Sequence, residues 1–368
     1  MRVLFLSYLP SPYRVEFFSE LAKYCELTVV FERKSANHRN GKWVKDSFDG
    51  FKVVTLSKYS KWKKWNILMR TVSDNLYDEV VIHNASTPLG MATIQYMKLH
   101  RIKYWIETDG GFPKSGKGFK ESIKKHIFSG AYGYLSSGKM NDKYLMTYGA
   151  NENRIYHYPF TSLYDCDLIE TPLSSTSKLD KRKSLGILEE NVAISVGRFS
   201  YLAGYGKGYD VLLKAAKGIP NTGVYIIGDE PTDEFIKMKE NMRINNVHYV
   251  GYKNKEELKE YYQSADYFVL MTVSDVWGLV INEAMSNALP IITTNMCGAG
   301  IDLVSDGDNG YLINVGDVRA LRNSLNYLNE NQQLRYNMAQ RSLKRIKEYT
   351  HEKAVLAHLY AFENRRNT

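Results

Sequence analysis

Cysteine is nearly absent: 368 residues carry only Cys25, Cys166 and Cys297. An odd number of widely spaced thiols argues against a disulfide framework and against the close ligand spacing of a zinc site, which leaves them as structural thiols. Long apolar runs are missing too. No stretch approaches the roughly 20 apolar residues that a membrane span requires, and residues 1–10 hold only a brief apolar run without a cleavage-like site. These absences lead to the expectation of a cytoplasmic location. Internal repeats and low-complexity tracts are also absent.

What is present is ample apolar material. At 44% hydrophobic over 368 residues, the chain is too long for one ordinary core and is expected to form two domains. Short apolar runs alternate with helical patterns, which predicts parallel sheets covered on both faces. Strand candidates in the first half are 3–7, 27–31, 53–56, 80–83, 104–107, 133–136 and 155–158. A Ser/Thr/Lys-rich stretch follows, and the pattern restarts with 192–196, 224–227, 248–251, 267–271, 291–293 and 311–313. The expected division is therefore 1–170, a linker at 171–183, and 184–349. The remaining helix, 350–368, is expected to cross back and complete the first domain.

Charge is uneven. Residues 1–170 carry 25 Lys/Arg against 17 Asp/Glu, whereas the remainder carries 24 against 23. Lys58, Lys61, Lys63, Lys64 and Arg70 are interleaved with Trp62 and Trp65, and Lys114, Lys117, Lys120, Lys124 and Lys125 form a second basic stretch. Basic residues among tryptophans suit an anionic membrane surface, where each cation contributes about 1 kcal/mol and indoles favour the headgroup zone. The bland alternative is a solvated face. Nucleic acid is not expected as a partner, since no reading motif accompanies the charge.

The run 274–285, Ser-Asp-Val-Trp-Gly-Leu-Val-Ile-Asn-Glu-Ala-Met, places Asp275 and Glu283 around Gly278 at the start of a helix that must stop before Pro290. At such a start the amides of Leu279 and Val280 lack intrahelical partners, and the helix dipole favours a diphosphate. Gly278 would leave room for it. Glu283, one turn in, leans back toward the terminus and suits a ribose diol. Upstream, Arg198 follows a strand and Lys207 lies in the glycine-rich loop 203–208; Arg198 can fork onto phosphate oxygens and Lys207 can add a point charge. Gly208 stands where a P-loop needs Ser or Thr, so this is not a P-loop. Gly204, Gly206 and Gly208 with Asp229 only loosely match a dinucleotide fingerprint. Ordinary structural readings stay open: Arg198 and Lys207 would pair with surface acids such as Asp210 or Asp229, and Asp275 would cap the following helix.

Over essentially the whole chain these residues resemble the retaining glycosyltransferase family 4, whose GT-B enzymes include bacterial capsular, exopolysaccharide and lipopolysaccharide sugar transferases. The matching pieces are Gly197-Arg198, Lys207-Gly208-Tyr209-Asp210, Ile227-Gly228-Asp229, Val250-Gly251-Tyr252, Ala265-Asp266 and 275–290, which stands for the family's E-x7-E element. The opening 6–15 also looks like polysaccharide-assembly members. Asp275 replaces the first glutamate of the pair, and Glu230 stands where a glycine often follows Gly-Asp. The resemblance implies a GT-B fold: two Rossmann-like doubly wound domains facing an interdomain cleft, the second binding the donor. It assigns Arg198 and Lys207 to the diphosphate and Gly278, Leu279 and Val280 to a close backbone approach. Glu283 falls to the ribose, Gly251 and Tyr252 to the base, and Asp275 to the vicinity of the transferred sugar. Where the family commonly has a histidine in the first domain, this chain has Asp109, the expected acceptor-side residue, with Glu107 second and His83 a weaker candidate.

The expected function is retaining, metal-independent, hexosyltransferase-like transfer from a nucleotide-diphosphate sugar, UDP favoured, to a lipid-linked saccharide acceptor at an anionic cytoplasmic membrane surface. No cofactor is expected, since the sugar nucleotide is a substrate. The alternatives are a catalytically inactive glycan- or membrane-binding GT-B protein and an NAD-dependent oxidoreductase.

Overall fold

The computed structural model describes residues 1–34, 48–73, 76–113, 116 and 118–366. Two compact units emerge, one formed by Met1–Ser162 with Tyr349–Thr368 and the other by Leu163–Glu348.

In the first unit the elements run β1 (Arg2–Ser7), α1 (Pro12–Leu21), β2 (Glu26–Phe31), β3 (Lys52–Thr55), α2 (Lys61–Ser73), β4 (Glu79–Ile82) and α3 (Pro88–Leu99). They continue with β5 (Trp105–Thr108), α4 (Phe119–Phe128), β6 (Gly133–Ser136), α5 (Lys139–Thr147) and β7 (Ile155–His157). The seven strands lie in the order β3-β2-β1-β4-β5-β6-β7 and pair in parallel. Buried on both faces, β1 and β4 read as continuous apolar runs rather than alternating ones. The order reverses between β1 and β4, and at such a switch point the carboxyl ends of the strands flank a crevice.

The second unit contains α6 (Ser175–Leu185), β8 (Asn191–Val196), α7 (Tyr209–Ala216), β9 (Thr222–Ile227), α8 (Asp233–Asn241), β10 (Val247–Gly251) and α9 (Lys255–Ser264). There follow β11 (Tyr267–Leu270), α10 (Leu279–Ser286), β12 (Ile291–Thr294), α11 (Gly298–Leu303), β13 (Gly310–Ile313), α12 (Val318–Glu330) and α13 (Gln332–Ile346). Its parallel sheet has the order β10-β9-β8-β11-β12-β13, with the switch between β8 and β11.

A final helix, α14 (His351–Arg366), packs on α1 and belongs to the first unit. Val355, Ala361 and Phe362 are buried, with the Phe362 ring 5.3 Å from Trp105 and the His358 ring 4.7 Å from Phe17. Burying each such aromatic side chain stabilises the packing by about 1.5–3 kcal/mol.

The stretch expected as a linker at 171–183 is mostly helix. Ser174 caps α6 by accepting from the Ser177 amide, and Gly186 ends it in the left-handed conformation at φ 69°. Although the segment is polar, Arg182 is buried, donating to the Ser264 and Glu190 carbonyls and pairing with Asp266 at 2.7 Å. Such satisfied burial of a guanidinium anchors α6 to the second unit, and the boundary falls at Ser162/Leu163 instead of residue 170.

Candidate functional site

In the second unit, the carboxyl ends of β8, β9, β11 and β12 converge on one set of loops. Arg198 follows β8 and is exposed. Asp229, after β9, accepts from the Phe199 and Ser200 amides and so shapes the turn that carries Arg198. That carboxylate is therefore committed to backbone, not to a ribose. The loop 201–207 is sewn to the end of β11: the Gly206 carbonyl accepts from Thr272 Oγ1 at 2.8 Å and the Val273 amide at 3.1 Å, while Tyr201 OH donates to the Ser274 carbonyl at 3.1 Å.

Its glycines have packing reasons. A Cβ at Gly204 would lie 2.6 Å from the Phe235 ring, at Gly206 2.3 Å from the Tyr201 ring, and at Gly208 2.0 Å from the Met271 carbonyl oxygen. The resemblance to a dinucleotide fingerprint is thus accounted for by close approach within the chain.

Lys207 Nζ is held 2.6 Å from Asp275 Oδ2, so the two residues assigned to diphosphate and sugar pair with each other. Asp210, the surface acid considered for Lys207, instead pairs with Lys214 at 3.0 Å. Asp275 is fixed through its backbone, its amide donating to the Met296 carbonyl and its carbonyl accepting from the Gly298 amide. It is not the N-cap of α10. Gly278 holds that place at φ 99°, and a Cβ there would meet Cys297 Sγ at 2.7 Å. Gly278 is thereby required by its backbone and by Cys297, whose thiol burial pushes up to about 12, with Asp275 adding to the effect. Leu279 and Val280 form the first turn of α10, where helix geometry leaves the amides without intrahelical acceptors. One turn further along α10, Glu283 Oε2 accepts from Tyr262 OH at 3.2 Å, and Tyr262 is held neutral far above the usual phenol range by its burial and by Glu283. At the end of β10, Gly251 takes φ 76° beside Glu230, and the next residue, Tyr252, is 55% exposed.

In the first unit, the ends of β4 and β5 bring His83 and Asp109 together, with His83 Nε2 3.1 Å from Asp109 Oδ1. Arg14, from α1, donates through Nη1 to Glu107 Oε1 at 2.7 Å and through Nη2 to Asp109 Oδ1. Burial is the largest single influence and pushes both carboxylates upward, but Arg14 and the neighbouring histidines together outweigh it. Glu107, helped by His358, is held down at about 2, and Asp109, helped by His83, lies well below the usual carboxylate range. The second acceptor-side candidate needs correction: Glu107 has no exposed surface and cannot touch an acceptor. Asp109 keeps 18% of its side chain accessible. Arg14, a core charge hub, lies in the opening stretch 6–15 and is not among the site residues to which the sequence points.

Two doubly wound parallel-sheet units, each carrying charged side chains at the carboxyl ends of its strands, are the α/β architecture known as GT-B. Residues 177–345 match the family model described as "Glycosyl transferases group 1". An uncharacterized glycosyltransferase of Haemophilus influenzae is 29% identical over 191 residues, 50% of this chain and 52% of that protein. The capsular polysaccharide biosynthesis glycosyltransferase CapM of Staphylococcus aureus is 27% identical over 216 residues, 57% of this chain and 55% of its own. The chain spans about half the length of both relatives. Among solved structures, Anabaena HepE in complex with UDP superimposes with a TM-score of 0.78 at 15% identity, covering 100% of each chain.

Proposed function

We propose that this protein is a retaining glycosyltransferase that moves a sugar from a nucleotide-diphosphate sugar, a UDP-sugar foremost, to a hydroxyl of a lipid-linked glycan precursor in cell-surface polysaccharide biosynthesis. The observation that carries the reading is the Lys207–Asp275 pair at the first turn of α10, with Glu283 in the same helix. Lys207, Arg198 and the α10 amides supply the positive potential that stabilises a departing diphosphate without a divalent metal. Glu283 receives the ribose, and Gly251 and Tyr252 border the base.

In the transfer, the bond from the sugar's anomeric carbon to diphosphate oxygen breaks as one to the acceptor oxygen forms. Asp109 is too weak a base to keep the acceptor's proton, so it orients the hydroxyl while the leaving diphosphate takes the proton. An UDP-, GDP-, ADP- and dTDP-sugar panel, scored by hydrolysis and by thermal shift, tests this. Turnover of none, with glycan binding retained, would favour an inactive binding protein. Activity abolished by chelator and restored only by magnesium or manganese would overturn metal independence. The oxidoreductase reading loses its ribose ligand, since Asp229 binds the Phe199 and Ser200 amides.

Docking at the inner face of the cytoplasmic membrane belongs to the same proposal. Among the described residues no helix is long and apolar enough to cross a membrane. On α2, Trp62 is 76% exposed beside exposed Lys61 and Lys63, whereas Trp65 packs against Tyr96. On α4, Phe119, Lys120 and Lys125 are exposed, but Lys124 lies over the Tyr148 and Tyr144 rings. Lys114 and Lys117 lie outside the described residues. Replacing Lys61, Lys63 and Lys64 with Glu is expected to reduce sedimentation with anionic liposomes at low salt and to spare donor hydrolysis. Undiminished sedimentation would leave α2 a solvated face.

A further inference from the structure

Transfer as read above uses only one end of a line of charge buried in the first unit. Arg14 is 3% exposed and bridges Glu107 and Asp109, which lie 93 and 95 residues away in sequence. Behind Glu107 stands His358 of α14, its Nε2 3.4 Å from Oε1. In front, Asp109 Oδ1 is crowded by Arg14, by His83 Nε2 at 3.1 Å and by Tyr158 OH at 3.2 Å, while Oδ2 accepts from Tyr13 OH at 3.1 Å. An ionised carboxylate oxygen can accept about two hydrogen bonds, so Oδ2 has capacity for one more donor.

We propose that Arg14 is a positioning residue that acts through Asp109: anchored on Glu107 by one nitrogen, its planar fork fixes the direction of Asp109 and presents Oδ2 to the acceptor hydroxyl. The inference rests on the glycosyl-transfer reading. Three features of the geometry support it. The two nitrogens reach two different carboxylates, a span that a guanidinium fork covers and a lysine point charge does not. Glu107, without surface, cannot touch an acceptor, but it is joined to Asp109 through Arg14. His358, fully buried on α14, lies against the same Glu107 oxygen that anchors Arg14, so α1, β5 and the C-terminal helix all converge on the cluster that ends in the partly accessible Asp109 carboxylate.

With two carboxylates against one guanidinium, the cluster depends on Arg14 to keep Asp109 ionised. The groups facing Asp109 are Arg14 and Tyr13 from α1, His83 after β4 and Tyr158 after β7, with Glu107 and His358 behind Arg14.

The test follows the Asp109 carboxyl carbon by NMR in protein labelled with 13C at aspartate Cγ, its signal assigned by loss in Asp109→Asn. In the parent it should not titrate above about pH 3, and in Arg14→Lys its midpoint should rise by about one pH unit or more. A midpoint unmoved in Arg14→Lys would overturn the proposal. If that variant does not fold, Arg14→Gln combined with Glu107→Gln keeps neutral hydrogen-bonding groups and should move the midpoint the same way. Transfer from UDP-glucose to octyl β-D-glucoside supplies a second readout. Arg14→Lys should lower acceptor kcat/KM about 10- to 100-fold in the parent, yet less than about twofold in an Asp109→Asn background. Equal losses in both backgrounds would make Arg14 merely structural. UDP binding by calorimetry should be unchanged in every variant. A parent that binds and turns over no sugar nucleotide would instead count against the glycosyl-transfer reading, while the NMR titration still decides the role of Arg14.

Discussion

In the first unit Arg14 is 3% exposed, and the Glu107 carboxylate it anchors has no surface at all. In the second, Lys207 and Asp275 keep 14% and 19% of their side chains in solvent, and Arg198 is exposed. The first arrangement is held by the fold, because releasing Arg14 would strand the Glu107 carboxylate away from water and leave the partly accessible Asp109 without its cation. In the proposed transfer the second is exchanged, a diphosphate replacing Asp275 on Lys207 while solvent or a sugar hydroxyl takes up Asp275. A preorganised acceptor-side carboxylate and a reversible donor-side pair are what the proposed transfer needs.

The sharpest way to break this contrast is to compare stabilities. Arg14→Met should cost about 3–5 kcal/mol in urea unfolding, the usual penalty for unpairing buried charge. Lys207→Met should cost no more than about 1 kcal/mol. Equal losses would erase the distinction. The same bridge sets a pH dependence. Glu107 and Asp109 have folded values depressed below their unfolded ones, so their contribution is fully present above about pH 4 to 4.5, the unfolded range. It is lost as pH falls through the folded values, about 2 for Glu107 and lower for Asp109. Unfolding free energy should therefore decline from about pH 4 downward, and less steeply in Asp109→Asn.

On the exchangeable side, Lys207→Ala should weaken UDP binding by about 1.5–3 kcal/mol, the worth of a charge-assisted contact, measured by calorimetry. Asp275→Asn should bind UDP at least as tightly as the parent, since Lys207 is released, while turnover drops. Weaker UDP binding in Asp275→Asn would show that the pair supports the nucleotide instead of competing with it. A smaller effect than the loss of UDP binding concerns the turn before α10. Gly278→Ala should destabilise by about 1 kcal/mol or slightly more through its left-handed backbone and the contact with Cys297 Sγ. No loss of stability would mean that Cys297 and α10 yield easily.

Much of the architecture was legible because hydrophobic patterning is local. Each of the thirteen strand candidates overlaps a strand, and Arg198, Lys207, Gly278 and Glu283 could be grouped because loops after parallel strands gather at one sheet edge. The segment 171–183 misled because helix α6 is mostly polar; its packing is revealed by Arg182 buried on Asp266, with Lys178 donating to the Ala265 carbonyl and Lys181 pairing with Glu260. Glu107 misled for a related reason. A carboxylate at a strand end looks the same in sequence whether it faces an acceptor or a buried arginine.

Sequence by itself determined two α/β units, the strands that build them and the loops that carry the donor-side charges, since these follow from periodicities of two to four residues and from glycine and proline punctuation. Tertiary structure alone decided that Arg14 meets Glu107 and Asp109, that Lys207 meets Asp275, and that Gly278 yields to Cys297. Those contacts join residues 19 to 95 positions apart. Which side chains meet over such separations depends on strand order and helix packing, and no local pattern encodes that.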